Sequence, residues 1–152
     1  MTITVRKGEA RDIPDVFRWV NDLALYEKAP EEVVNTEAQL LSHWQEGWFE
    51  FLVAESDSQG VGLALFYTRY STWKGCCYYL EDLYVEPEFR GKGIGLALLT
   101  QTALEARQAG AIRLDWQVLD WNRPAIDFYD GLGAAIEQDW WNCKLDLDAF
   151  GR

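Results

Sequence analysis

The sequence predicts an α/β fold, a mixed and mostly antiparallel sheet in a single domain over residues 1–152. Three strand-like runs joined by short turns occupy the middle of the chain. Amphipathic helical stretches stand before and after them. No linker, low-complexity tract or domain-sized repeat divides the chain, and 152 residues bury most of their apolar surface unaided.

Each element has its own signal. Residues 2–6 alternate as a first strand. Asp12 is placed to cap a helix with Pro14 and Asp15 in its first turn. Ile13, Val16, Phe17, Val20 and Ala24 share one face of that helix, which runs to about Glu27, where Ala29-Pro30 breaks it. Residues 36–45 read as a second helix. Residues 49–55, 61–70 and 76–85 form the meander, with turns at 56–60 and 71–75. A helix then begins at Gly93, carries Leu96, Leu99, Ala103 and Ala106 on one stripe, and stops at Gly110. Residues 111–118 alternate, with Ile112, Leu114, Trp116 and Val118 facing one way. Asn122 caps a short helix closed by Gly131, and residues 134–136 and 140–147 are expected to be a last pair of strands.

Composition excludes several function classes. The formal net charge of -11 repels nucleic-acid phosphates and favours cationic ligands. An anionic ligand would need a local positive pocket. No apolar run approaches the ~20 residues that cross a bilayer, and the N-terminus lacks a signal-peptide core, so a cytoplasmic protein with no membrane partner is expected. Cys76 and Cys77 are adjacent, Cys143 stands apart, and His43 is the single histidine, a set too small and badly spaced for a metal site. The cysteines read as free thiols.

The most informative segment is Tyr84-Val85-Glu86-Pro87-Glu88-Phe89-Arg90-Gly91-Lys92-Gly93-Ile94-Gly95, between a strand and a helix. Three alternate glycines let a ligand approach the backbone, and the helix start offers unpaired N–H groups. Arg90 and Lys92 supply the local positive charge, so the segment reads as a cradle for an anion such as a pyrophosphate. It is not a dinucleotide fingerprint, because Leu96 and Leu98 stand where glycine or alanine is needed. Nor is it a P-loop, which would need glycine at Glu86.

The Arg-x-x-Gly-x-Gly pattern after a strand resembles the acetyl-CoA loop of the GNAT acetyltransferase superfamily. Asp22-Leu23-Ala24-Leu25-Tyr26-Glu27, Leu80-Glu81-Asp82-Leu83-Tyr84-Val85 and Asp120-Trp121-Asn122-Arg123-Pro124-Ala125-Ile126-Asp127-Phe128-Tyr129 are similar to the spermidine/spermine (diamine) branch of that superfamily. The resemblance implies a GNAT-like fold with splayed central strands, acetyl-CoA as cosubstrate with no metal, and direct acetyl transfer to a small primary amine in a ternary complex. It also implies a homodimer.

Residue roles follow from the same resemblance. Leu83 and Val85 would pair through their backbones with the pantetheine arm, the amides of Arg90, Gly91, Lys92, Gly93, Ile94 and Gly95 would hold the pyrophosphate, and Asn122 would touch the arm from the other side. An alkylammonium has a pKa near ~10 and must lose a proton before it attacks. Glu81 and Asp82 are the candidate acceptors, and strand alternation sets them on opposite faces. By resemblance Glu81 takes the proton and Asp82 helps bind the cation, though Asp82 could instead pair with a nearby base. Tyr129 is the candidate acid for the thiolate. Tyr26, Glu27, Trp73 and Trp140 are candidate linings of the amine pocket. Polyamine acetyltransferases carry an acid where this chain has Ser71, which leaves the choice between a diamine, a polyamine and a thialysine-like amino acid open. A protein or peptide amine, or a CoA-binding module without turnover, also fits the sequence.

Overall fold

The computed structural model describes residues 2–151, which fall into two compact units, residues 2–117 and 118–151. The first holds β1 (Ile3–Lys7), α1 (Ile13–Tyr26), α2 (Glu37–Gln45), β2 (Glu50–Ser56), β3 (Gln59–Ser71), β4 (Gly75–Val85), α3 (Ile94–Gln108) and β5 (Leu114–Asp115). The second holds α4 (Arg123–Gly131). The strands form one sheet in the order β1-β2-β3-β4-β5, antiparallel as far as β4 and parallel between β4 and β5. This is the α/β class that the sequence predicts. No helix among the described residues is long and apolar enough to cross a membrane.

Local chemistry explains the meander. Asp57 and Ser58, with φ of 50° and 69°, make the two-residue β2–β3 turn whose left-handed geometry matches strand twist. At the β3–β4 turn the Ser71 hydroxyl accepts the amides of Trp73 (3.3 Å) and Lys74 (3.1 Å). The Thr36 side chain caps α2, accepting the Gln39 amide at 3.1 Å.

The core lies between one face of the sheet and helices α1 and α2. Ile13, Val16 and Trp19 pack there with Leu40, Phe51, Val53, Leu63, Leu65 and Tyr84. Trp19, which the predicted stripe omits, is wholly buried, and its indole Nε1 donates to Glu86 at 2.9 Å. That bond satisfies the one polar atom of a large apolar side chain. Helix α3 covers the other face, where Gly62 lets Leu98 approach: a Cβ there would sit 3.1 Å from the Leu98 side chain.

The structure corrects four expectations. Asp12 does not cap α1; its carboxylate takes two 2.8 Å bonds from the Arg6 guanidinium and one from the Glu9 amide. The buried stripe of α3 is Ile94, Leu98, Leu99, Thr102 and Ala106, while Leu96 and Ala103 face outward. Thr102 joins the core because its hydroxyl donates to the Leu98 carbonyl at 2.8 Å. The strand expected over 111–118 shrinks to Leu114–Asp115. Residues 134–136 and 140–147 form no strand. Alternation makes a strand only where a neighbouring ladder takes its N–H and C=O groups. In this segment Trp141, Leu145 and Leu147 are exposed, so no packed face pins a register.

Candidate active site

Strand β4 is paired along its whole length with β3, but with β5 only at Tyr78 and Tyr79. From Leu80 to Val85 its other edge has no strand partner, which is the splay between central strands that the resemblance implies. Leu83 and Val85 lie on this open edge. The carbonyl of Val85 accepts Arg90 Nε at 2.8 Å, so a ligand arm would share that oxygen, which has two lone pairs.

A bulge in β4 shapes the site. Leu65 of β3 pairs with Asp82 and the next residue, Phe66, pairs with Leu80, so Glu81 is the extra residue. On β3 the alternation is unbroken, and Leu63, Leu65 and Tyr67 share one face. Their partners Tyr84, Asp82 and Tyr79 share it too. Glu81 follows Tyr79 by two residues and accepts the Tyr67 hydroxyl at 2.7 Å, so it lies on that face as well. The expected separation of Glu81 and Asp82 is therefore wrong. The bulge resets the alternation and brings both carboxylates to the face packed by α1.

Crowding of like charge has the expected effect. Burial first, then Glu81, then Glu27 push the Asp82 carboxyl up to about 7. Glu27, at the end of α1, is raised by burial and next by Glu81. The Tyr67 phenol is raised by burial and then by its bond to Glu81, so it stays a donor at neutral pH. Tyr67 is a site contributor that sequence reasoning missed. Its period-two spacing from Leu65 was legible, but its partner on β4 depends on the bulge.

The glycine loop follows β4 through a 3-10 turn at Pro87–Phe89. Gly91 and Gly93 are left-handed, with φ of 75° and 81°, and Gly93 stands at the N-cap of α3. That helix start has no side-chain cap and no acid in its first turn, so its own first residues leave its positive end unneutralised. Lys92 Nζ lies 5.4 Å from the Phe89 ring centre. The Arg90 guanidinium stacks between Tyr26 (5.6 Å) and Tyr84 (5.5 Å). Tyr26 thus meets a loop cation as well as standing beside Glu27. Glu86 anchors the loop to α1 through Arg18 Nη1 (3.0 Å) and Trp19.

The other predicted residues are placed as follows. Trp73 is at the tip of the β3–β4 hairpin, 84% exposed, six positions beyond Tyr67 along the chain and off the carboxylate rows. Asn122 caps α4, its Oδ1 accepting the Ala125 amide at 3.4 Å. Tyr129, half-buried on α4, has its ring 5.5 Å from that of Phe128. Trp140 is exposed in the segment after α4. These last three belong to the second unit.

Residues 13–134 match the acetyltransferase (GNAT) family. The thialysine N-epsilon-acetyltransferase of Bos taurus is 39% identical over 153 aligned residues, covering 93% of this chain and 90% of that protein. The Caenorhabditis elegans protein of the same name is 35% identical, covering 99% and 94%. The L-ornithine N5-acetyltransferase NATA1 of Arabidopsis thaliana is 38% identical over 93 residues, 59% of this chain and 40% of that one. Among solved structures, an aminoglycoside acetyltransferase from an uncultured soil metagenomic sample, in complex with trehalose, superposes with a TM-score of 0.80 at 18% identity, covering 95% of this chain and 96% of that one. The ribosomal-protein-alanine N-acetyltransferase of Brucella melitensis biovar Abortus 2308 does so with 0.75 at 20%, covering 95% and 100%. Both share the fold. By its match over most of its length and by its relatives, the chain belongs to the GNAT acetyltransferase family, whose enzymes take their acetyl group from acetyl-CoA.

Proposed function

We propose that this enzyme acetylates the side-chain primary amine of a small, lysine-like molecule, of which thialysine, ornithine and diamines are the candidates. The observation that carries this reading is the bulge, which gathers Glu81 and Asp82 on one face beside the open edge of β4, with Glu27 close by. Three carboxylates hold a cation, and a carboxyl with a pKa near neutrality is matched to taking its proton. The neutral amine then attacks the thioester carbon. The ammonium's proton has by then passed to the Glu81–Asp82 pair, directly or through water; as the C–S bond breaks, Tyr129 gives a proton to the departing thiolate and is restored by the second proton that the acetylated nitrogen sheds. Leu83 and Val85 align the donor's arm along the open edge, and the amides from Arg90 to Gly95 hold its diphosphate. Asn122 contacts the arm, and Tyr26 and Trp140 border the amine.

Relatives named for thialysine and ornithine support an amino-acid substrate. The Ser71 hydroxyl, engaged in its own turn, supports a shorter substrate than a polyamine. The family match runs across the boundary between the two units, which supports one catalytic domain. We place the protein in the cytoplasm as a homodimer, with no nucleic-acid or membrane partner. A CoA-release assay over thialysine, ornithine, spermidine, putrescine and lysine peptides tests the proposal. Thialysine or ornithine should lead, and Tyr129→Phe should lower kcat about 10²-fold or more. Release with lysine peptides alone would favour a protein substrate, and no release with any amine would favour a CoA-binding module.

A further inference from the structure

The face that carries the carboxylates continues along the hairpin and ends in a cation. Counting outward, its cross-strand rows are Leu65 with Asp82, Tyr67 with Tyr79, and Arg69 with Cys77. Its character therefore runs from acidic through aromatic to basic. The Arg69 guanidinium folds back over Tyr79, 5.7 Å from the ring centre, while the Tyr67 ring, 5.6 Å from that of Tyr79, points its hydroxyl at Glu81. The guanidinium and the carboxylates thus bracket a tyrosine floor, the Asp82 and Arg69 rows lying four residues apart on β3, or roughly 13 Å of strand, a gap that the folded-back guanidinium shortens.

Arg69 is half-exposed and only loosely held. Its contact with Asp115 is 3.5 Å, at the limit of a hydrogen bond, whereas Asp115 is already gripped by Arg113 at 2.6 Å. The Arg69 fork keeps donors for a second carboxylate, and Arg113 offsets the repulsion that Asp115 would exert on one.

We propose that Arg69 receives the α-carboxylate of an amino-acid substrate whose side-chain ammonium sits at Glu81 and Asp82, so that the site selects such amino acids over molecules that lack the carboxylate. The assignment rests on the proposed acetyl-transfer reading, which fixes the amine end. It also explains how a chain of net charge -11 takes a substrate that is itself part anion: Arg69 stands at the end of the face opposite Glu81 and Asp82.

The test compares thialysine with thialysine methyl ester, which keeps the side-chain amine and removes the carboxylate charge. In the wild type, kcat/KM should favour the free acid by about tenfold or more, the scale of a charge-assisted paired hydrogen bond. In Arg69→Met that ratio should fall toward one, the loss appearing in KM for the acid, and Arg69→Lys should restore part of it. A loosened β5 would lower both substrates together and leave the ratio intact. A ratio near one in the wild type, or one that survives Arg69→Met, overturns the assignment. If no amine is acetylated, the transfer reading fails separately, and equilibrium binding of the two thialysine forms to wild type and Arg69→Met decides the role of Arg69 by the same ratio.

Discussion

Asp82 sits where burial and two neighbouring carboxylates all oppose its charge. With its pKa raised to about 7, kcat/KM for the amine should climb through neutrality as the carboxylate ionises. Replacing Glu81 by glutamine removes a like charge, so the acid limb measured in that variant should move to lower pH, whatever its maximum rate. Stability carries the opposite signature. The folded protein holds the Asp82 proton more tightly than the unfolded chain, whose aspartate has the ordinary value of 3.8. Folding stability is therefore lost as pH rises from about 4 to about 7. Asp82→Asn should melt a few degrees above the wild type at pH 8 and show no such gain at pH 4, as read by thermal denaturation at both pH values.

At the scale of elements, the glycine loop offers a pair of substitutions that separate folding from binding. Gly93 has a φ of 81°, so Gly93→Ala should cost about 1–2 kcal/mol of stability even though open space surrounds the new methyl group. Gly95 is helical, and a methyl group there meets only Val85 Cγ2, at 3.9 Å. Gly95→Ala should therefore gain about 0.5–1 kcal/mol from helix propensity while crowding the amide cradle, so that KM for acetyl-CoA rises as the melting temperature does. The loop was legible in the sequence because glycines, cations and a helix start lie within one short segment. The meander was legible because turn residues separate its alternating runs. The bulge was not, since Leu80-Glu81-Asp82-Leu83 reads equally well with or without an extra residue, and only the partner strand decides. For the same reason Tyr67 and the shared face of the two acids escaped notice. Residues 134–147 show the converse error: Trp141, Cys143, Leu145 and Leu147 alternate well, yet form no strand among the described residues.

At the scale of the whole molecule, the proposed homodimer would cover exposed apolar surface in that last segment, where Trp141 is 90% exposed and Leu147 77%. Trp141→Ser with Leu145→Asp should shift the sedimentation coefficient from dimer toward monomer. An unchanged coefficient would place the interface elsewhere. The unfilled side of β4 has a further consequence for the empty enzyme. An edge without a ladder partner, even with the Val85 carbonyl held by Arg90, is an invitation to any stray β-segment, so heating the donor-free protein should produce turbidity. Acetyl-CoA at a hundred times its dissociation constant should add about 2.7 kcal/mol to unfolding and clear the solution at the same temperature. If it pairs with Leu83 and Val85 as proposed, the cosubstrate would serve as a removable strand, guarding the sheet from self-association while it waits for the amine.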